Sequence, residues 1–557
     1  MAVISRLTEN GKEITKYDNA TISNIKVDGV DYHFAKVNEV VDGICENAVN
    51  EPIIDMKLSG NSMQEGTPTT ETPVEIESVG DKTSNLLEYP YYKKSNETSN
   101  GITWELNSDR SITVSGTSSD YSSMYLSRNQ LNLEDGKTYY FKAKGSLINA
   151  SLIFAYYDEN GTRQYNGNGK VWSSNYTNPQ FYVQVTPNQT ASGTFFPYIV
   201  AEDNSLDYEP YGYKVPIKVS GSNIADLSKA IKSSSTPQVT FIYDNKTGTV
   251  EYTNTPTQFD YLMIYLERDA GYKFEKGKTY YCGADVTISG KTTTDKKTTI
   301  YFGIAYDNSV TTGKVHHIYK NGSFHLSGSF VYEGQTSIRL VMHANYSSDE
   351  PAWVKYEHIF VSEVNEFEPY IEPTTTNIYL KEPLRGITYK NEVYADIIDY
   401  KNKKVTRNIC SEYITSVYNK SSTSGTFGIF LSEISNKPKM YNSYAGLCIA
   451  SKFVMHTVNG FVGSYVDLTE HGGHIQTYIT SAGLNRVAYS FNDNSITSVA
   501  QAQEKIGNGF EVYYVLATPT EEIIDFPQLS AFDGTTIFEM ETNINPSEIK
   551  VKYWKQI

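Results

Sequence analysis

One stretch occurs twice and limits the fold more than any other. Leu133-Glu-Asp-Gly-Lys-Thr-Tyr-Tyr140 runs on into Phe141-Lys-Ala143, and Phe274-Glu-Lys-Gly-Lys-Thr-Tyr-Tyr281 runs on into Cys282-Gly-Ala284. Each copy reads as a turn followed by a strand. Gly136 and Gly277 supply the positive φ that such a turn uses. Beyond the turn the residues alternate: Tyr139, Phe141 and Ala143 share one side, Thr138, Tyr140 and Lys142 the other. Tyr280, Cys282 and Ala284 hold the apolar side of the second copy. A period of two with one apolar face predicts a half-buried strand. Two copies with matching flanks predict a duplicated β-module.

Composition points the same way. The chain has 557 residues, 46 of them Tyr against 4 Trp. That length has room for roughly three or four domains. Tyr, Thr, Ser, Asn and Gly dominate, which favours strands and turns over helices. Tyr also presents a flat apolar body with a polar tip, suited to binding surfaces. The net charge of −16 argues against nonspecific nucleic-acid binding, which needs a basic footprint. No window approaches a membrane span, and residues 1–9 lack a basic run followed by an apolar one. The expectation is synthesis in the cytosol without a cleaved signal, no membrane partner and no nucleic acid. The four cysteines, at 45, 282, 410 and 448, follow no metal spacing, and Cys282 reads as a small buried apolar residue.

Five regions follow in chain order. Residues 1–50 carry a hairpin signal, Asn24-Ile-Lys-Val27 and Val30-Asp-Tyr-His-Phe34 around Asp28-Gly29, and a possible element at 37–41; they read as an anchor on a partner. Residues 51–84 are rich in Pro, Thr and Gly and read as an extended connector. Residues 85–221 form module A and residues 222–373 form module B. Both end on Glu-Pro-Tyr, at 209–211 and 368–370, and module A then closes with Val215-Pro-Ile-Lys-Val-Ser-Gly221. The extra length of module B falls in a polar loop at 289–297. Residues 374–557 read as a third sandwich with one helix: Ser498 and Gln501 make a capping box and Gly507 ends the run Val499–Ile506. Many short strands with turn signals between them predict an all-β protein of tandem β-sandwich, jelly-roll domains.

Four stretches outside the modules resemble minor structural proteins of tailed bacteriophages of Gram-positive hosts. They are residues 58–80 (Leu58-Ser-Gly-Asn-Ser-Met to Ser78-Val-Gly80), Lys381-Glu-Pro-Leu-Arg-Gly386, Tyr514-Val-Leu-Ala-Thr-Pro-Thr-Glu-Glu522 and Pro546-Ser-Glu-Ile-Lys-Val-Lys-Tyr-Trp554. In such proteins the intervening modules look like carbohydrate-binding jelly rolls. The resemblance implies a virion component of the tail or baseplate that takes part in recognising a host cell-wall or surface polysaccharide. It also implies attachment to other virion proteins through residues 1–50 and a homo-oligomer, by analogy with tail fibres a trimer. It admits a structural calcium but no other cofactor. A purely architectural or decorative part of the tail or capsid, and a glycan-degrading tailspike, are the alternatives.

Sugar binding needs flat aromatic faces for the C–H side of the ring and a few amide or carboxylate groups for its hydroxyls. Aligning Ile153, Ala155 and Tyr157 with Phe302, Ile304 and Tyr306 makes these the core faces, which leaves Phe154, Tyr156 and Tyr301 on the opposite faces. Trp172, Tyr176 and Trp353 lie where they could rim such a groove. These six are the candidate carbohydrate-binding residues. Glu470-His-Gly-Gly-His474 lacks a third metal ligand, and the neighbours His316 and His317 face opposite ways on a strand, so no metal site is assigned. No nucleophile elbow, phosphate-binding loop or Cys/His pair is present, and no catalytic residue is assigned.

Overall fold

The computed structural model describes residues 57–553 except 65, 233–240, 253–259, 268–271, 291–298, 308–312, 346–352, 390–391, 422–428, 441–445, 456–472, 480–482, 492, 494, 525–528, 530–533 and 541–546. It also describes the strand pairs Thr8–Glu9 with Lys12–Glu13 and Asn24–Val27 with Val30–His33. The expected hairpin about residues 28–29 forms, with Val27 paired to Val30. The element at 37–41, the anchoring role of residues 1–50, most of the 289–297 loop and His471 lie outside the described residues.

Among the described residues the chain is all-β apart from the helix Val499–Ile506 and a short 3-10 turn, Leu227–Lys229. The first sandwich pairs a sheet ordered Lys170–Val171, Thr138–Gly145, Thr190–Ala201, Ile112–Thr117, Ile102–Leu106, Glu97–Ser99 with one ordered Ser122–Arg128, Thr177–Val185, Ser151–Tyr157, Arg163–Gln164. The second pairs Gly322–Val331, Thr279–Ser289, Trp353–Ser362, Thr249–Tyr252, Phe241–Asp244 with Ile231–Lys232, Asp260–Tyr265, Arg339–Asn345, Thr299–Ala305, Gly313–Ile318. When the strands common to both are counted in chain order from Ile112–Thr117 and from Thr249–Tyr252, each sandwich has one sheet in the order 6-3-8-1 and another in the order 2-7-4-5. That interleaving is a jelly roll, and it is the same in both.

The duplicated stretch explains itself in the cores. The rings of Tyr139 and Tyr280 are buried, and each hydroxyl accepts the backbone N–H of the Glu five residues earlier, Glu134 at 2.8 Å and Glu275 at 3.0 Å. Each turn glycine donates across to the next segment, Gly136 N–H to Trp172 O (2.9 Å) and Gly277 N–H to Tyr332 O (2.7 Å). Tyr is used because one side chain both fills the core and caps the turn. Cys282 is buried as expected, and burial pushes its thiol up to about 12.

Both sandwiches are held at their base by one repeated clasp. In the first, Ser84 N–H and Oγ–H donate to Glu209 Oε2 (2.9 Å each), Asn85 Nδ2 donates to Glu209 O (3.0 Å), and Asn85 Oδ1 accepts from Leu87 and Ile199 N–H. In the second, the Ser222 hydroxyl donates to Glu368, Asn223 Nδ2 donates to Glu368 O (2.9 Å) and Ile359 O (3.0 Å), and Asn223 Oδ1 accepts from Ala225 and Val361 N–H. The Glu of each Glu-Pro-Tyr therefore meets a Ser-Asn pair at the other end of its module.

Two sequence expectations are corrected outside the sandwiches. Val215-Pro-Ile-Lys-Val-Ser-Gly221 does not close module A. The strand Tyr213–Gly221 lies in a separate sheet, between Thr374–Leu380 and Gly534–Met540, with Ser547–Tyr553 beyond and Asp81–Lys82 paired to its start. The chain leaves this sheet after Lys82 and returns at Tyr213, its direct partner; it leaves again after Gly221 and returns at Thr374, the partner of Val219. Each jelly roll thus occupies the place of a turn between adjacent strands of one frame.

Nor is 51–84 a free connector. Lys57–Ser59 pairs with Ile397–Asp399 and Ser62–Gln64 with Ile76–Ser78. Val74 N–H donates to Ser451 O (2.8 Å), Gln64 Nε2 donates to Ala450 O (2.6 Å), and Glu71 is ion-paired with Lys505 of the helix. A Cβ on Gly60 would lie 2.6 Å from Arg385 O, so the two segments approach too closely for any other residue. The reason is hydrogen bonding: this run has backbone groups that the frame satisfies. The remaining C-terminal strands form a sandwich of two five-stranded sheets, Cys448–Ala450, Phe510–Ile523, Lys404–Ile414, Ile397–Asp399, Lys57–Ser59 against Asn419–Ser421, Ile429–Glu433, Asn485–Ser490, His474–Ile479, Val454–Met455. The helix closes its core with Ala502 and Ile506, and carries the expected Ser498/Gln501 capping box and Gly507 end.

Candidate functional site

The strand Ser151–Tyr157 corrects the site reading. Leu152, Phe154 and Tyr156 face the core, and Phe154 and Tyr156 are each 1% exposed. In the second jelly roll Ile300, Phe302 and Ile304 face the core, as expected. The sequence alignment was off by one residue in module A, and a slip of one sends every side chain to the other face. Phe154, Tyr156, Trp172 and Tyr176 do come together. Phe154 stacks on Trp172 (6.0 Å) and Tyr156 lies against Tyr176 (4.7 Å), with the Lys170 ammonium 5.1 Å and 4.9 Å from the Tyr156 and Tyr176 rings. This cluster is core, with Trp172 buried and Tyr176 half-buried at its edge. Tyr301 faces outward, half-buried, 4.6 Å from the His317 ring. Trp353 belongs to the opposite sheet of its sandwich, 36% exposed, its indole N–H donating to Glu251 Oε1 at 2.8 Å. The six residues therefore do not line one groove.

The outward face of the 2-7-4-5 sheet in module A carries a different set. Phe181, Val183 and Val185 point inward from Thr177–Val185, which turns Gln180, Tyr182 and Gln184 outward. Tyr182 is the cross-strand partner of Tyr125 on one side and of Ile153 on the other, and the two Tyr rings are 4.7 Å apart. Arg163 Nη2 donates to Gln180 Oε1 (2.9 Å), and its guanidinium lies 5.1 Å over Tyr165. Arg128 lies 5.7 Å over Tyr125, and Gln184 Nε2 donates to Ser123 Oγ (2.9 Å). Tyr182 and Gln180 are buried beneath these neighbours, whereas Tyr165 is 59% exposed. Burial pushes the Tyr182 phenol up, with Arg163 opposing.

Module B repeats the plan with other residues. Tyr265 and Arg339 are cross-strand partners; Arg339 Nη1 donates to Tyr265 Oη (3.1 Å) and its guanidinium lies 5.5 Å over the ring. Gly303 and Val341 separate this pair from Tyr301 and His317. Both sheets thus turn a tyrosine outward beside a guanidinium, and module A adds amide groups, which together can meet the C–H face and the hydroxyls of a sugar ring. Sequence reasoning missed Tyr125, Arg163, Gln180 and Tyr182. The alternation Phe181, Val183, Val185 against Gln180, Tyr182, Gln184 was the available signal. Among the described residues no group of three or more His, Cys, Asp or Glu is placed to hold a metal.

No family model matches the chain, and no curated protein matches it. Among solved structures it is similar to the N-terminal CBM22-1–CBM22-2 tandem domain of Paenibacillus barcinonensis Xyn10C, at 9% identity over 51% of this chain and 98% of that one. The TM-score is 0.21, and at that value the likeness carries no argument.

Proposed function

We propose that this chain is a noncatalytic structural protein of a bacteriophage virion, on the tail or baseplate, whose two jelly rolls hold host surface glycan. The observation that carries the glycan reading is the outward Tyr/Arg pairing repeated on the same sheet of two modules with the same topology. Single sugar contacts are weak, and two linked modules raise effective concentration without new contacts. Repetition of the chain in a homo-oligomer, for which a trimer is the analogy, multiplies this further. The virion reading is supported by where the phage-like stretches lie. Residues 58–80, 381–386 and 514–522, and the strand Ser547–Tyr553 of the fourth, all belong to the frame and C-terminal sandwich, and none to a jelly roll.

The test is retention of the full chain on purified Gram-positive cell-wall polysaccharide, beside Tyr125→Ala and Tyr165→Ala. Binding that falls at least about tenfold in either variant supports recognition through this face. No retention would leave the architectural reading, and release of reducing ends would establish the enzymatic one.

A further inference from the structure

Arginine is treated in two ways in this molecule. In the C-terminal part Arg385, Arg407 and Arg486 are nearly buried and each is ion-paired, with Glu382, with Asp396 and Glu522, and with Glu433. On the outward faces of the 2-7-4-5 sheets Arg128, Arg163 and Arg339 have no carboxylate partner among the described residues. Arg339 is only 4% exposed, and the Nε atoms of Arg163 and Arg339 are buried without a hydrogen-bond partner. Burying a guanidinium without an anion is costly, and tyrosine faces offset this only in part.

The surroundings are also short of negative charge. The four strands Ser122–Arg128, Ser151–Tyr157, Arg163–Gln164 and Thr177–Val185 contain no Asp or Glu, in a chain with 64 of them and a net charge of −16. Of the two carboxylates in the adjoining turn, Asp158 accepts from Asn160 and Thr162 N–H and from Gln164 Nε2, and Glu159 is exposed to solvent. The Arg163 fork, held by Gln180 with N–H groups to spare and no ion-pair partner among the described residues, suits a bidentate oxyanion.

We propose that the outward face of module A is built for an anionic glycan, one bearing phosphodiester or carboxylate groups, with Arg163 and Arg128 reading the charge. The proposal rests on the glycan reading above and narrows it to a substrate class.

Its test measures affinity of the full chain for a glycan carrying pendant phosphodiester groups, for polygalacturonate, and for the neutral form of each, the first with its phosphate groups removed and the second carboxyl-reduced. The expected result is at least about tenfold tighter binding to a charged form than to its neutral form. That preference should weaken as salt rises from about 50 to about 500 mM. Which polymer is preferred identifies the source of the anion. Arg163→Gln should remove most of the preference, Arg339→Gln in module B should leave it, and Arg163→Lys should keep only part of it, because a point charge lacks the fork. Arg128 is exposed, so Arg128→Gln tests the charge with the fold undisturbed and should lower the salt sensitivity. Equal, salt-independent binding to neutral and charged forms would overturn the anion assignment and leave glycan binding standing; retention on none of the polymers would remove both.

Discussion

Asn85 and Asn223 act as miniature backbones. Each side-chain amide bonds to main-chain groups at both ends of its module, and both residues are buried. Removing the amide leaves several buried N–H and C=O groups unpaired, so Asn223→Ala should cost about 2–3 kcal/mol, read as a lower urea midpoint for module B. Asp396 is the corresponding residue of the frame. It is fully buried and accepts from Arg385 N–H (3.1 Å), Asn408 N–H (2.8 Å), Ile409 N–H (3.0 Å) and Arg407 Nη1 (3.2 Å). Asp396→Ala should cost about 3–5 kcal/mol, because it strands the Arg407 charge. Glu209 adds a pH dependence. Burial alone would raise its pKa, but the Lys214 ammonium and the Ser84 donors outweigh burial and hold the carboxyl below its ordinary 4.5. A carboxyl lowered in the folded state contributes stability that is complete above its unfolded pKa and is lost as pH falls through the folded one. Stability of wild type should therefore drop more steeply than that of Glu209→Gln as pH is lowered from about 5, measured by thermal melts.

At the scale of the element, the strand Ser151–Tyr157 shows what a β-pattern hides. Every residue from Leu152 to Tyr157 is apolar or aromatic, so alternation does not mark the core face. Packing decides it: Phe154 stacks 4.2 Å from Phe181 inside the sandwich. Phe154→Ala should cost about 3–5 kcal/mol. Ile153→Ser, on the outward face, should cost under about 1.5 kcal/mol. Urea unfolding of the two variants checks the assignment, and the reverse order would overturn it. The neighbouring strand Thr177–Val185 alternates cleanly in its second half, and the helix carries its own start and stop residues, so those elements were legible.

At the scale of the whole molecule, insertion is the organising fact. Because Lys82 pairs with Tyr213 and Val219 with Thr374, the frame sheet should survive loss of either jelly roll. Replacing 223–370 by a short Gly-rich turn should leave a folded protein that keeps the transitions of the frame and module A in calorimetry and loses one other. Collapse of every transition would mean the module is part of the frame's own core.

Taken alone, the chain determined what depends on neighbours in sequence. The duplicated turn and strand, the helix with its caps and the all-β character follow from local alternation, glycine placement and composition, which act over a few residues. Tertiary structure decided what depends on partners far along the chain. The core face of an all-apolar strand is chosen by which side fills the sandwich. The Glu of each Glu-Pro-Tyr has a role only when a Ser-Asn pair more than a hundred residues earlier folds beside it, and the frame exists only when residues 57–82, 213–221 and 374–553 meet. Burial and long-range hydrogen bonding make these choices, and neither leaves a periodic trace in the order of residues.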